Sequence, residues 1–361
     1  MRALVAIRPF YGHFHPVAPV AGALREAGHA ALFATERKFC DVIRQAGFEA
    51  RAAGADPWDG EEFGVEATTR KTDDLVRIAE EWRPDVILRD PTDFGALVAA
   101  EALDLPHVTV GFSRFMPASF WSRAIGPVVE EVRRGRGLSA DPSLERLFPR
   151  LYLDTVPPWF QRFDGAPPGV LRSIRPSTFE APAPEGSLER GGFEEPAVLV
   201  TLGTVYNRRG ELLGRLCRGA ARSGRRVLCM VGPGMDAAAC LGPQPSNVEA
   251  AQYVPFAEVM AGCGVLVSHG GYNSVLSALL NGVPVLTVPL GADHYFNAGR
   301  CVELGAGLRA DPGALTEERV ELLVRRLIEE PRFASAAASL AEETASLPDV
   351  RCAAELIEAV A

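Results

Sequence analysis

Short apolar runs alternate with amphipathic stretches along nearly the whole chain. Residues 4–7 are uniformly apolar, and Val17, Val20, Ala21 and Leu24 then recur at i, i+3, i+4 and i+7, which marks one face of a helix over 16–27. Pro16 suits its first turn and Gly28 the position after its last. Strand-like runs follow at 31–34, 85–88 and 107–110, with a helical stretch at 94–103. Such an alternation predicts parallel sheets covered by helices, an α/β fold.

The pattern breaks twice. Residues 113–165 are rich in Arg, Pro and aromatic side chains and show little periodicity, as a variable wall of a binding site would. Residues 176–196 are dense in Pro, Gly and charge and read as a linker. Beyond it the alternation restarts, with strand-like runs at 198–201, 227–231, 265–267 and 285–288 and helical stretches at 211–221 and 273–280. Two successive α/β domains are expected, 1–175 and 197–345. The helical stretch within 346–361 has no place fixed by its pattern, and packing back on the N-terminal domain is open to it.

Composition narrows the function. A length of 361 residues favours two domains. A hydrophobic fraction of 47% and a mean hydropathy of +0.06 are ordinary for a globular chain. No run approaches the ~20 apolar residues that span a bilayer, so no transmembrane segment is expected. The opening MRALVAIRP is too short an apolar run for a secretory signal, which points to the cytoplasm. A formal charge of −9 argues against nucleic acid as a partner. Seven scattered cysteines without a C-x-x-C pair read as reduced core residues.

Candidate chemistry centres on residues 267–290, VSHGGYNSVLSALLNGVPVLTVPL. A strand ending at Ser268 feeds His269-Gly270-Gly271 and then a helix. A helix start carries unpaired backbone N–H groups and partial positive charge, and so attracts phosphate. Glycine lets a ligand approach the backbone without a Cβ in the way. Asn273 and Ser274 can cap the helix or donate to an anion, and His269 adds a donor.

Residues 247–305 resemble the donor-binding signature of nucleotide-sugar glycosyltransferases of the GT-B fold, family 1. The parts run in order: aromatic-Val-Pro at 253, His-Gly-Gly at 269, Asn-Ser at 273, Gly-Val-Pro at 282, and an acidic then a polar residue at 293. Gly12-His13-Phe14-His15-Pro16 is similar to the family's G-H-x-x-P loop, and Trp82 to Asp90 to its later strand and acidic end. Among family members, bacterial enzymes that glycosylate polyketides and antibiotics look most similar.

The resemblance implies two Rossmann-like domains with parallel sheets facing across a cleft. It implies a hexosyltransferase that moves a sugar from a dTDP- or UDP-sugar cosubstrate onto a hydroxyl of a hydrophobic small-molecule acceptor, with inversion and no metal. His13 would be the general base and Asp90 its partner. The donor would lie against Thr204, Tyr253, Val254, His269, Gly270, Gly271, Asn273, Ser274, Asp293 and His294; the family often has Gln at the last of these. The acceptor would meet Phe10, His15, Phe112, Phe115, Met116 and Phe120. A sugar-nucleotide hydrolase or epimerase of the same fold, or a non-catalytic nucleotide-sugar-binding protein, are the alternatives. No G-x-G-x-x-G follows the first strand, which argues against a dehydrogenase. The pattern leaves monomer and homodimer both open.

Overall fold

The structure is a computed structural model that describes residues 1–55, 63–163, 169–177, 179, 195–203, 208–232, 235–252 and 256–361. These fall into two compact units, Met1–Ala181 together with Leu347–Ala361, and Pro182–Ser346.

The first unit runs β1 (Arg2–Ala6), α1 (Tyr11–Glu26), β2 (Ala30–Thr35), α2 (Cys40–Gln45), β3 (Glu49–Ala52), α3 (Val65–Trp82), β4 (Val86–Arg89), α4 (Phe94–Ala102) and β5 (His107–Gly111). It continues through α5 (Ala118–Ala124), α6 (Gly126–Gly135), β6 (Leu151–Asp154) and β7 (Leu171–Ser173). Among the described residues its strands form one parallel sheet in the order β3-β2-β1-β4-β5-β6-β7. Helices cover both faces, which is why β1 and β4 read as unbroken apolar runs instead of alternating ones.

The second unit runs β8 (Ala197–Thr201), α7 (Gly210–Ala221), β9 (Val227–Met230), α8 (Ala237–Leu241), β10 (Val248–Ala251), α9 (Phe256–Met260), β11 (Cys263–Ser268) and α10 (Tyr272–Leu280). After these come β12 (Val285–Thr287), α11 (His294–Glu303), β13 (Gly307–Arg309), α12 (Glu317–Glu329) and α13 (Pro331–Ala345). Its sheet is parallel too, in the order β10-β9-β8-β11-β12-β13. The chain then returns to the first unit. There α14 (Cys352–Glu358) sets Ala353, Ala354 and Ile357 into the same core as Val17, Val20, Ala21 and Leu24 of α1.

In each sheet the order of strands reverses once, between β1 and β4 and between β8 and β11. Chains leaving neighbouring strands at such a point turn to opposite faces, and a crevice opens at the carboxyl edge where ligands bind in open α/β sheets. Both clusters of predicted site residues leave the sheets at these two points.

Two expectations need correction. The first helix begins at Tyr11, five residues before Pro16, and holds Pro16 and Pro19 inside it. Extended Phe10 stands at its N-cap, and its carbonyl accepts from the amides of His13 and Phe14, each at 3.0 Å. The bond that Pro16 cannot make would go to the carbonyl of Gly12, an exposed residue whose carbonyl water can serve. The aperiodic stretch 113–165 is also more regular than its pattern, since it contains α5, α6 and β6. β6 has only 4 residues, too few to show a period, yet all are buried as a continuation of the sheet beside β5.

Candidate active site

At the switch point of the first sheet, His13 leaves β1 in the first turn of α1, and Asp90 follows directly on β4. His13 Nδ1 lies 3.1 Å from Asp90 Oδ2. The carboxylate is fully buried and also accepts from the Arg8 amide at 2.9 Å, and from the amide and hydroxyl of Thr92, both at 2.7 Å. Burial alone would raise the Asp90 carboxyl; the His13 imidazole, Thr92 and Arg8 outweigh it and hold the group well below the usual carboxylate range. A permanent acceptor at Nδ1 puts the imidazole proton there and leaves Nε2 as the basic nitrogen. The side chain of His13 is 17% exposed.

Phe112, the residue after β5, packs tilted against His13 with ring centroids 4.2 Å apart, and Phe10 lies at 5.6 Å. The loop carrying Phe112 is braced from β6: Gln161 accepts from the Phe115 amide at 2.9 Å and donates to Asp154 Oδ2 at 2.9 Å. Burial pushes the Asp154 carboxyl up to about 7, against the opposing effect of the Val156 amide and Gln161.

The other predicted acceptor residues are placed unequally. Phe115 is buried in packing against Phe148, Tyr152 and Phe163. Met116 is half-buried and Phe120 exposed. His15 is half-buried beside Tyr11 and Phe14, and burial lowers its imidazole to about 4.

At the switch point of the second sheet, His269, Gly270 and Gly271 join β11 to α10. Glycines hold the His269 ring on two sides. A Cβ on Gly203 would stand 2.6 Å from its Cε1, and one on Gly271 would stand 2.5 Å from its Nε2. Burial first, and the neighbouring His294 second, lower the His269 imidazole to about 3, so it is neutral and bonded to the Thr201 backbone. A neutral imidazole has a single N–H, and the Thr201 carbonyl takes it, so the donors this turn offers an anion are its backbone amides, which corrects the expectation that His269 adds one.

Gly271 occupies the N-cap of α10, and no side chain caps the helix. Neither Asn273 nor Ser274 serves as a cap, a second correction, because the helix already begins at Tyr272. Both are half-buried in its first turn. The helix start therefore presents backbone amides at the end of β11, as an anion site requires.

Asp293 and His294 open α11. Asn297, one turn on and fully buried, donates to Asp293 Oδ2 and to the Gly270 carbonyl, both at 2.9 Å. It ties the predicted sugar-binding pair to the predicted phosphate turn. The sequence reading missed it, although its i+4 spacing from Asp293 on a helix was visible. Thr92 was missed likewise; its position two residues after an aspartate is the spacing at which an aspartate side chain accepts from the backbone. Thr204, Tyr253 and Val254 lie outside the described residues, as does most of 176–196.

Comparison with known proteins adds the family. Residues 234–360 match the model described as erythromycin biosynthesis protein CIII-like, C-terminal domain. The elloramycin glycosyltransferase of Streptomyces olivaceus is 32% identical over 386 aligned positions, covering 96% of this chain and 94% of its own. The chain belongs to the natural-product glycosyltransferases. The L-demethylnoviosyl transferase of Streptomyces niveus is 30% identical over 332 positions, covering 85% of this chain and 84% of its own.

Among solved structures, the spinosyn forosaminyltransferase SpnP superimposes with a TM-score of 0.85 at 28% identity, covering 100% of this chain and 99% of its own. The glycosyltransferase VinC, solved in complex with dTDP, gives 0.83 at 25% identity with the same coverage. This glycosyltransferase has the GT-B architecture of those relatives, as the resemblance implied. Among its described residues no helix is long and apolar enough to cross a membrane.

Proposed function

We propose that this glycosyltransferase moves a sugar from a dTDP donor to a hydroxyl of a hydrophobic natural product in one inverting displacement. The observation that carries the reading is the His13–Asp90 contact of 3.1 Å, which leaves a basic Nε2 at the carboxyl edge of the first sheet. In the proposed step the acceptor hydroxyl passes its proton to His13 Nε2 as its oxygen bonds to the anomeric carbon. The bond from that carbon to the diphosphate oxygen breaks, and dTDP departs with the electron pair. Asp90 stabilises the imidazolium, and general-base help of this kind contributes roughly 10²–10⁴-fold.

The diphosphate rests on the amides that open α10, beside the neutral His269 ring. Helix-end and hydrogen-bond stabilisation of the leaving group supports transfer without a divalent metal. The complex of VinC with dTDP supports thymidine over uridine as the nucleoside. Asp293 and His294 face the donor sugar in this reading, and Phe10, Phe112 and Met116 the acceptor.

The test is His13→Ala. Transfer should fall by about 10³-fold while the Kd for dTDP stays within twofold of the parent. Normal turnover would remove His13 from the mechanism. Transfer that collapses in EDTA and returns with Mg²⁺ would overturn the metal-free reading.

A further inference from the structure

A buried cation beneath the His13–Asp90 pair plays no part in the chemistry above. Lys71 lies on α3 and is 6% exposed. Its ammonium donates to the carbonyls of Ile7 at 3.2 Å, Ala34 at 3.4 Å and Ala53 at 3.3 Å. Ala34 is in β2, and Ile7 and Ala53 immediately follow β1 and β3, so three adjacent strands end on one group. An ammonium has three N–H bonds, and all three are used. The carboxylates of Glu36 and Asp93 flank it at 3.7 and 3.4 Å.

Burial alone would lower the Lys71 ammonium, but Asp93, Glu36 and Asp90 carry it above the ordinary lysine value, so it is charged. The fold makes room for its stem. A Cβ on Gly95, in α4, would stand 2.6 Å from Lys71 Cγ.

Two of these ties, to Ile7 and to Asp93, reach segments that the catalytic pair uses. Ile7 precedes Arg8, whose amide holds Asp90, and the chain then runs through Pro9 and Phe10 to His13. Asp93 closes the turn that begins at Asp90, and its Oδ1 accepts from the Ala96 amide at 2.9 Å to cap α4. Buried ion sets can often be replaced by apolar groups at no cost in stability, and their best attested role is to fix register.

We propose that Lys71 is a positioning residue for transfer: it locks the turn after β4 against the exit of β1 and so sets the contact between His13 and Asp90. The proposal rests on the reading of His13 as general base. Lys71→Met alone would strand two buried carboxylates. The variant to measure is therefore the full chain with Lys71→Met, Glu36→Gln and Asp93→Asn, since the asparagine keeps the oxygen that caps α4.

The measurements are kcat and donor KM for transfer, the Kd for dTDP, and the NMR signal of the His13 Nδ1 proton, assigned by its loss in His13→Ala. The expected result is a cooperatively folded variant whose dTDP affinity and donor KM are unchanged, whose kcat is lower by about 10²-fold, and whose His13 signal is shifted or lost. A folded variant with parental kcat and an unmoved signal would overturn the proposal. So would a variant that does not fold, since Lys71 would then serve folding and not alignment. If His13→Ala keeps full turnover the general-base reading fails, and the imidazole signal still judges Lys71, so the two failures can be told apart.

Discussion

The imidazole of His294 stands edge-on to that of His269, with ring centroids 4.6 Å apart and planes at 90°. His294 Nδ1 accepts from the Leu290 amide at 3.4 Å, so its own proton sits on Nε2. Burial lowers His294 from its ordinary value, and the turn thus holds two neutral rings, one bracing the other. His294→Ala should let the His269 ring swing and weaken dTDP binding by about tenfold, or ~1.4 kcal/mol. Titration calorimetry reads the change. Unaltered affinity would mean that His269 keeps its place without its neighbour.

Gly203→Ala attacks the same ring from the other side. The backbone there has φ +72, and the added Cβ would meet His269 Cε1 at 2.6 Å. The substitution combines a strained conformation with a clash, so the imidazole must move. Binding of dTDP should fall tenfold or more while circular dichroism stays that of the parent, because β8 ends before the change. A variant with intact affinity would show that the ring is not held by this contact.

Stability should respond to pH from both directions. Asp154 sits at about 7 in the folded chain, above its ordinary carboxyl value. A carboxyl raised in this way contributes stability that is fully present below about pH 4 and is lost as pH rises through 7. Asp154→Asn cannot ionise, so its melting temperature relative to the parent should climb between pH 5 and pH 8.5. At ~2–4 °C per kcal/mol, a shift of several degrees is expected. His269 and His107, both lowered to about 3, and His15, lowered to about 4, act in the opposite sense. Their stabilisation is present above about pH 6.5 and is lost as pH falls toward those values. Calorimetric scans of parent and Asp154→Asn at both pH values check the first effect, and a constant gap between them would rule it out.

The central strands were legible because burial on both faces leaves their residues uniformly apolar, as in β1, β4 and β11. The His269-Gly270-Gly271 turn was legible from the apolar run before it, the helical pattern after it and the spacing of the motifs around it. The start of α1 was not. Pro16 has the look of a first-turn residue, and nothing local tells that the helix begins at Tyr11 and runs through it. β6 and β7 were hidden by length, since 4 and 3 residues carry no period. Lys71 was hidden by its surroundings in the sequence, where Arg70, Asp73, Asp74 and Arg77 make α3 look like a solvated charged face. Only the packing of α3 against α4 turns that one lysine inward, and neighbours distant along the chain then decide what it does.

The return of α14 bears on the order in which the molecule is made. A ribosome releases the whole of Pro182–Ser346 before it delivers Cys352–Glu358, whose Ala353, Ala354 and Ile357 complete the packing on α1. The half synthesised first is thus the half finished last. Until that last helix arrives, the packing on α1 lacks one of its layers, so the first unit closes only when the final residues of the chain are in place.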